Sequence, residues 1–441
     1  MAKQRMFIHK MVMFFCLALF VNGCSDQIIS NKETISSLHK KEKVEELVFW
    51  HTYSDEETRV FEEELIPLFQ KKYPEIKITS VRQPYNEHLK SALISKGSSG
   101  QAPDVVRIDI AWVPEFASLG LLEPLDSFKG FNQKKKRLYA NALETNLYNG
   151  LYYGLPVNLT TKAAIYNEIS LNRAGINEPP ETMNDFLKLA EKQHGIGYIG
   201  MKGLNAWDSL PYFWGLGGML TNSDYTQASG YFNSKESIHA VSTIKSWKDK
   251  GLLAPNFSSG SIDTWNEILQ GQAFMAEEGP WFYSVLSTSY YTVDQLMNVT
   301  IPYPFPVDKQ GKGSILGGEN LVIMNGTEHR DAAWTFMKWM TSEDIQQRMF
   351  NSGILPANKA AANSSAMLKT PYMKAYVESL ENARLRPPVK SWSRMENEYT
   401  KAMEAIIYHN QDIRTTLNEA ANKMDQLLKI IYLHHSSFIV L

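Results

Sequence analysis

Short apolar runs alternate with amphipathic segments through the first part of the chain. Residues 47–50 (LVFW) form an apolar run of the kind that predicts a buried strand. Residues 57–72 carry apolar side chains at helical spacing, and Pro74 follows, where proline ends a helix. The pattern also predicts strands over 76–81 and 103–109 and helices over 87–94 and 113–119. Strands alternating with helices of this length predict βαβ units and a mostly parallel sheet.

The alternation continues more loosely in the rest of the chain. It predicts extended chain over 152–156, strands over 163–166, 273–276 and 317–324, a turn over 279–281, and helices over 182–192, 238–250, 329–340 and 394–428. Residues 204–213 are predicted to be a loop. With 441 residues, this α/β chain is long enough for two or three domains.

A basic start followed by an apolar run opens the chain. Lys3, Arg5 and Lys10 come before or at the edge of the apolar residues 11–21, and Cys24 follows. The run is short for a bilayer span and resembles the signal of a bacterial lipoprotein, in which Cys24 would be acylated. The alternative is an uncleaved membrane anchor followed by an ordinary cysteine.

The composition of the chain is that of an ordinary globular protein that follows a signal peptide and a tether. Residues 1–24 are predicted to be the signal peptide and the polar residues 25–44 a flexible tether. The chain is 44% hydrophobic and 21% charged, and its net charge of −2 gives no indication of a nucleic-acid partner. Cys16 lies in the signal and Cys24 would carry the lipid, so the body has no thiol for disulfides, metal ligation or nucleophilic catalysis.

Short motifs in a fixed order carry a family resemblance. They are residues 47–51 (LVFWH), 102–106 (APDVV), 116–125 (FASLGLLEPL), 153–156 (YGLP), 164–167 (AIYN), 276–281 (AEEGPW), 316–320 (LGGEN), 332–336 (AAWTF) and 353–356 (GILP). In order and spacing the chain is similar to the extracellular solute-binding proteins of ABC importers, specifically the sugar-binding group related to maltose-binding protein. A lipoprotein signal agrees with this resemblance, because Gram-positive binding proteins are tethered in that way.

The resemblance implies an α/β fold of two lobes, a periplasmic-binding-protein-like clamshell with three hinge crossings. The crossings fall near 156–161, within 301–306 and near 355–358. Lobe one would then be residues 45–157 plus 313–354, lobe two 160–302 plus 358–430, and 431–441 an unassigned tail. The proline-rich second crossing makes independent sense, because prolines stiffen an extended connector.

The resemblance also implies a function. The protein would close two lobes around a sugar and deliver it to a membrane permease, with ATP hydrolysis in a separate ATPase subunit. It would be a monomer without a cofactor, held at the extracellular face of the bacterial membrane by its lipid anchor alone. Aromatic residues make up 12% of the chain, which favours a di- or oligosaccharide, because successive sugar rings need successive aromatic plates. Two alternatives stay open: a secreted glycoside-active enzyme, and a sugar sensor that reports to a signalling receptor.

Sugar sites combine aromatic plates with carboxylates, amides and arginine at the rim. The aromatic candidates at strand ends, turns or loops are Trp50, Trp112, Trp207, Tyr212, Trp281 and Trp392. For Trp281 and Trp392 the resemblance implies a stacking aromatic at the matching position. Packing in the hinge or the core is the alternative for each of them.

Asp109 is the first polar candidate, because a carboxylate at a strand end can accept two sugar hydroxyls at once. Its alternative role is the N-cap of the helix predicted to begin near Val113. Glu319 follows two glycines whose missing side chains would let a ligand approach the backbone, although a surface turn would have the same sequence. The other candidates are His51, Tyr53, Tyr85 and Asn158.

Motifs for catalysis do not match. The sequence contains no phosphate-binding loop and no G-x-S-x-G elbow, and His434 and His435 lack the spacing of metal ligands. Glu277 and Glu278 are adjacent on a predicted strand, so their side chains point to opposite faces and cannot flank one glycosidic bond. The sequence therefore predicts binding without catalysis and without a metal.

Overall fold

The structure, a computed structural model, describes residues 44–254, 257, 263–309, 313–350 and 352–429. The predicted signal peptide with Cys24, the tether up to residue 43 and the tail 431–441 lie outside the described residues. Within the described ranges, no helix has both the length and the apolar character that a bilayer span requires.

The strands share two main sheets and one short hairpin. They are β1 (Glu45–His51), β2 (Ile76–Arg82), β3 (Val105–Asp109), β4 (Leu147–Tyr148), β5 (Leu151–Tyr152), β6 (Gly154–Thr161), β7 (Ala163–Asn167), β8 (Tyr198–Ile199), β9 (Ala273–Glu278), β10 (Thr300–Tyr303), β11 (Leu316–Ile323) and β12 (Leu355–Pro356).

Helices cover and connect these strands. They are α1 (Asp55–Arg59), α2 (Ile66–Lys72), α3 (Glu87–Ser98), α4 (Val113–Ser118), α5 (Phe131–Lys135), α6 (Ala140–Glu144), α7 (Glu168–Arg173), α8 (Met183–Gln193), α9 (Ala206–Gly215), α10 (Lys235–Asp249), α11 (Thr264–Leu269), α12 (Trp281–Ser289), α13 (Val293–Met297), α14 (Arg330–Met340), α15 (Glu343–Phe350), α16 (Lys359–Ala362), α17 (Ser365–Lys369), α18 (Met373–Asn382), α19 (Trp392–Ile407) and α20 (Ile413–Lys429). A π-helical segment, Val60–Leu65, joins α1 to α2.

The larger sheet has the order β12-β6-β11-β3-β1-β2. β1 pairs in parallel with β2 and β3, while β11 runs antiparallel to both β3 and β6, and β12 runs antiparallel to β6. The expectation of a mostly parallel sheet therefore holds only for the three N-terminal strands. These are joined by helical crossovers, whereas β11 and β12 return from later parts of the chain, and a single sequence pattern does not encode that pairing.

The second sheet has the order β10-β7-β9-β8, with β7 antiparallel to β9 and β10 and β8 parallel to β9. Thr160 and Thr161, predicted to open lobe two, still pair with β11 in the larger sheet. The chain passes from one sheet to the other at Lys162, because backbone partners keep β6 extended beyond residue 157. The other lobe boundaries stay predictions.

Apolar side chains pack around each sheet. Beside the larger sheet, the ring of Phe49 lies 5.3 Å from Phe61 and 5.0 Å from Phe336, measured between centroids. Beside the second sheet, Phe186, Phe274 and other fully buried side chains of α8, α9, α10, α19 and α20 form a separate core. Burying such rings contributes roughly 1.5–3 kcal/mol each. The first core also includes Ile165 and Ala276 of the second sheet, so it stabilises both sheets.

Helix α9 replaces the loop predicted over 204–213. The side chain of Asn205 accepts a hydrogen bond from the Asp208 backbone N–H and caps the helix, which continues through Pro211. Proline removes one helical hydrogen bond, but tertiary packing of the apolar face outweighs that loss. Trp207 and Tyr212 therefore stand on a helix rather than in a loop.

Candidate functional site

A cavity of about 980 Å³ opens at the carboxyl ends of β1, β2 and β3. Its wall on that side comes from the residues that follow these strands and from the start of β11. The opposite side of the cavity comes from α9, from α12 and from the segment around Arg386. These parts of the chain belong with the second sheet or follow it in the sequence. The carboxyl ends of parallel strands are the usual place for ligands in open α/β sheets.

Two aromatic pairs line this cavity. Trp207 and Trp281 lie 6.4 Å apart between ring centroids at an angle of 31°, and Tyr85 and Trp112 lie 6.1 Å apart at 13°. Gly317 allows the first pair to reach the larger sheet, because a β-carbon at this position would lie 2.6 Å from the Trp207 ring. Trp112 is 8% exposed and also stacks on Phe116, so Tyr85, Trp207 and Trp281 are the more accessible rings of this wall.

Asp109, at the end of β3, is held by three neighbours. Its Oδ1 lies 2.9 Å from a guanidinium nitrogen of Arg386 and accepts the Ala111 backbone N–H at 2.7 Å. Its Oδ2 accepts the Tyr85 hydroxyl at 2.5 Å. The N-cap position of α4 is Trp112, so Asp109 does not have the capping role considered above. The carboxylate instead fixes Tyr85 and Arg386 at the cavity wall.

Arg107 and Glu319 form the second ion pair of the wall, with 2.9 Å between Nη2 and Oε2. Arg107 also donates to the Asn158 side chain at 3.2 and 3.3 Å, and its guanidinium carbon lies 4.6 Å from the Tyr53 ring centroid. Burial raises the pKa of Glu319 above its ordinary value, although Arg107 opposes this. Sequence reasoning missed Arg107. The signal was its place two residues before Asp109, which puts both on one face of the strand.

Several predicted residues do line the large cavity: Tyr53, Tyr85, Asp109, Trp112, Trp207, Trp281 and Glu319. Asn158 lines an adjoining cavity of about 410 Å³ that shares Glu57, Thr160 and Trp281 with the large one. The hydroxyls of Tyr53 and Thr160 are buried without a hydrogen-bond partner among the described residues. Lining residues that sequence reasoning missed are Glu57, Arg82, Arg107, Thr160, Arg386 and Glu396.

Four predicted residues do not line either cavity. Tyr212 is fully buried in the second core, where its hydroxyl donates to Glu277 Oε2 at 2.5 Å. Trp392 is 2% exposed at the start of α19 and packs in the same core. Both are large apolar rings on helices, and core packing is the stronger requirement there.

The other two residues, Trp50 and His51, are the last two of β1. His51 is fully buried, with Nε2 2.8 Å from the Ser80 hydroxyl, and burial lowers its pKa to about 3. Trp50 packs at the edge of a small core under the ammonium of Lys96, 5.8 Å from the ring centroid. Alternation along the strand points Trp50 and His51 to opposite faces, and the cavity lining begins just beyond them, at Thr52 and Tyr53.

Comparison with known proteins identifies the family. Residues 64–375 match the model of the bacterial extracellular solute-binding proteins. The chain belongs to this family. A maltotriose-binding protein of Pyrococcus abyssi is 29% identical over 357 residues, which cover 77% of this chain and 73% of that protein.

Solved structures of similar fold confirm the α/β architecture expected from the sequence. The GacH receptor of Streptomyces glaucescens gives a TM-score of 0.76 at 23% identity, covering 87% of this chain and 98% of that one. The sugar-binding protein MalE from Xanthomonas citri also gives 0.76, at 22% identity, covering 89% and 99%. These likenesses agree with a fold of two lobes.

For an extracellular solute-binding protein, the wall can bind and orient a ligand without reacting with it. The carboxylates once considered as a catalytic pair, Glu277 and Glu278, do not line the cavity. Glu277 is bonded to Lys162 and Tyr212, and Glu278 accepts the Trp265 indole N–H at 2.6 Å. Both side chains are therefore bonded to other residues inside the protein.

Proposed function

We propose that this extracellular solute-binding protein captures an uncharged di- or oligosaccharide and delivers it to the permease of an ABC importer, with ATP hydrolysis in a separate subunit. The observation that carries the proposal is the make-up of the cavity wall. Two aromatic pairs stand beside arginines that are already paired with protein carboxylates.

The aromatic pairs support a carbohydrate. Trp207 with Trp281, and Tyr85 backed by the buried Trp112, would present flat apolar faces to the C–H faces of sugar rings. Tryptophan and tyrosine bury a large apolar area while keeping a polar tip for hydrogen bonding. More than one ring of a ligand can therefore be stacked within the same cavity.

The charges support a ligand without net charge. Arg107 is paired with Glu319 and Arg386 with Asp109, and both pairs are largely buried. A charged ligand would have to displace one of these partners and leave a partly buried charge alone, which costs several kcal/mol in general. Hydroxyl groups need no such exchange, because paired carboxylates and guanidinium groups keep further donor and acceptor sites.

The size of the cavity supports more than one sugar unit. Its volume of about 980 Å³ lies at the upper end of the range of roughly 300–1,000 Å³ that is typical of small-molecule sites. The adjoining cavity adds space on the side of Asn158. One relative is named a maltotriose-binding protein, and the GacH receptor has been solved in complex with acarbose, which agrees with a ligand larger than a single sugar.

We further propose that the protein acts at the extracellular face of the membrane and does not alter its ligand. Acylation of Cys24 would hold the monomer at the extracellular face of the membrane, and the polar residues after it would act as a tether. The ligand would leave chemically unchanged, since the groups of the cavity wall are suited to binding and the relatives of this protein are binding proteins.

A thermal-shift screen tests the proposal. Purified protein is heated with maltose-, galactose-, xylose- and arabinose-based oligosaccharides, and with peptides and metal ions as comparison ligands. A ligand that binds only the folded state raises the melting temperature, and we expect this for at least one oligosaccharide. Products are then analysed for released reducing sugar, which we expect to be absent. Tight binding of a peptide or a metal, with no response to any carbohydrate, would refute the proposal.

A further inference from the structure

Lys162 is a buried lysine at the point where the chain changes sheets. It is the single residue between β6 of the larger sheet and β7 of the second sheet. Its side chain is 1% exposed, and its ammonium lies 2.8 Å from Asp208 Oδ1 and 3.3 Å from Glu277 Oε1. Burial of a lysine costs several kcal/mol unless partners compensate, so a methionine would fill the same space with less penalty. The buried charge of Lys162 is therefore expected to have a role besides packing.

Both carboxylates belong to residues that are close in sequence to the two tryptophans of the cavity. Asp208 follows Trp207 at the start of α9, and Glu277 stands four residues before Trp281 at the end of β9. The Lys162 ammonium also lies 5.4 Å from the Trp207 ring centroid. The Lys162 ammonium is thus bonded to one residue near Trp207 and to one residue near Trp281 in the chain. Lys162 itself does not line the cavity.

The backbone of Lys162 belongs to the joint between the sheets. Its N–H lies 3.2 Å from the Ser314 hydroxyl, which in turn donates to the Lys162 carbonyl at 2.5 Å. Ser314 precedes β11 on the chain segment that returns from the second sheet. The Ser314 carbonyl accepts the Arg384 N–H at 2.9 Å, from the segment that follows α18. Three chain segments therefore meet at one serine beside Lys162.

We propose that Lys162 is a positioning residue that couples the orientation of the Trp207–Trp281 pair to the joint between the two sheets. The part of this inference that concerns affinity rests on the proposed function. Movement at the joint displaces Lys162, and its bonds to Asp208 and Glu277 transmit that displacement to both plates. Lys162 thereby sets the affinity for the sugar without touching it.

The test compares Lys162→Met with two matched variants. Lys162→Arg keeps the charge, and Lys202→Met removes the lysine that pairs with the neighbouring Glu278 and lies 5.7 Å from Trp265, which does not line the cavity. The first readout needs no sugar: near-ultraviolet circular dichroism of the coupled indoles. We expect Lys162→Met to change this signal, and the change to vanish in a Trp207→Phe background. Lys162→Arg should restore most of the signal, and Lys202→Met should leave the Trp207 contribution intact.

The second readout is the affinity for the oligosaccharide found in the screen, measured by calorimetry. We expect Lys162→Met to weaken binding at least tenfold and Lys202→Met to change it less than threefold. A folded Lys162→Met protein with the wild-type dichroism and affinity would overturn the inference. If Lys162→Met does not fold, Asp208→Ala, which removes the acceptor of the Lys162 bond, takes its place, and an unchanged dichroism in that variant would be equally decisive. Absence of sugar binding by the wild type would refute the proposed function, while the dichroism still decides the coupling.

Discussion

At the scale of single residues, the site is built from ion pairs that restrain aromatic side chains. Asp109 holds Tyr85 and Arg386, and Arg107 holds Glu319 and underlies the ring of Tyr53. Each charge is satisfied within the protein, so the polar wall is already organised before a ligand arrives. Preorganisation of this kind reduces the entropy that binding must pay.

The pairing of Arg386 predicts a switch in ligand preference. Asp109→Asn removes the negative charge and leaves a partly buried guanidinium for a ligand to neutralise. We expect the affinity for an oligosaccharide carrying one uronic acid to rise at least fivefold relative to its uncharged counterpart. Competition calorimetry measures the ratio, with Asp344→Asn as control, because that residue pairs with Arg348 on the surface. An unchanged ratio would mean that Arg386 does not control ligand charge.

Two buried groups predict opposing pH dependences of stability. Burial lowers the pKa of His51 to about 3, with Arg107 and Arg82 adding to the effect. The unfolded chain then binds a proton near pH 6.5 that the native state refuses, so His51 makes stability fall as the pH drops from 6.5 towards 3. Burial raises the pKa of Glu277 to about 7 despite Lys162, so its contribution is present below pH 4.5 and is lost as the pH rises through 7.

Between pH 5 and pH 6 these contributions have opposite signs and similar size, about 1 kcal/mol per pH unit each. We expect His51→Gln to leave a protein whose free energy of unfolding falls from pH 5 to pH 6. Glu277→Gln should instead leave one whose free energy of unfolding rises over the same interval. Urea unfolding at the two pH values measures both, and slopes of equal sign in the two variants would contradict this account.

At the scale of elements, glycines let a strand and a helix share the cavity wall. Gly317 on β11 leaves room for the Trp207 ring, since a β-carbon there would lie 2.6 Å from the indole and 2.7 Å from Thr160 Cγ2. We expect Gly317→Ala to displace Trp207 and weaken oligosaccharide binding at least tenfold, with a much smaller effect on melting temperature. Gly203→Ala is the control, because the nearest atom to its new β-carbon would be 3.6 Å away. Equal affinities of the two variants would argue against a fixed position for Trp207.

Prediction from sequence worked where a local pattern is sufficient. The apolar run of β1 and the helical spacing of α14 follow from residues close together in the chain. It failed for α9, where a loop was predicted although Asn205 caps a helix. The sequence also did not show that Trp392 would pack in a core built from distant parts of the chain. Arg386 was missed because its partner Asp109 is distant in sequence, and only the fold brings the two together.

At the scale of the whole molecule, polar contacts join the α19 end of the chain to elements beside the larger sheet. The Ser393 hydroxyl lies 3.2 Å from Glu115 Oε2, and Lys90 bonds to Ser393 and pairs with Glu115 at 2.6 Å. Like the Arg386–Asp109 pair, these contacts join parts of the chain that pack with different sheets. We expect a sugar that touches both sides of the cavity to gain contacts when they approach, and so to shift the population towards closure.

Small-angle scattering tests this closure. We expect the radius of gyration of the wild-type protein to decrease when the oligosaccharide is added to saturation. Trp281→Ala, at a sugar concentration only just sufficient to saturate the wild type, should have a radius closer to that of the free protein, because it binds the sugar more weakly. An unchanged wild-type radius with sugar demonstrably bound would favour a rigid binding site.

The central claim, that an oligosaccharide stacks on the tryptophan pair, is tested most directly by calorimetric titration of three proteins with one sugar. We expect the wild type to bind with a Kd near 1 μM, about −8 kcal/mol. Trp281→Ala should weaken binding by roughly tenfold to a thousandfold, since a stacked aromatic contributes a few kcal/mol. Trp50→Ala, which removes a tryptophan away from the cavity, should keep the wild-type Kd. Equal Kd values for Trp281→Ala and the wild type would contradict the account.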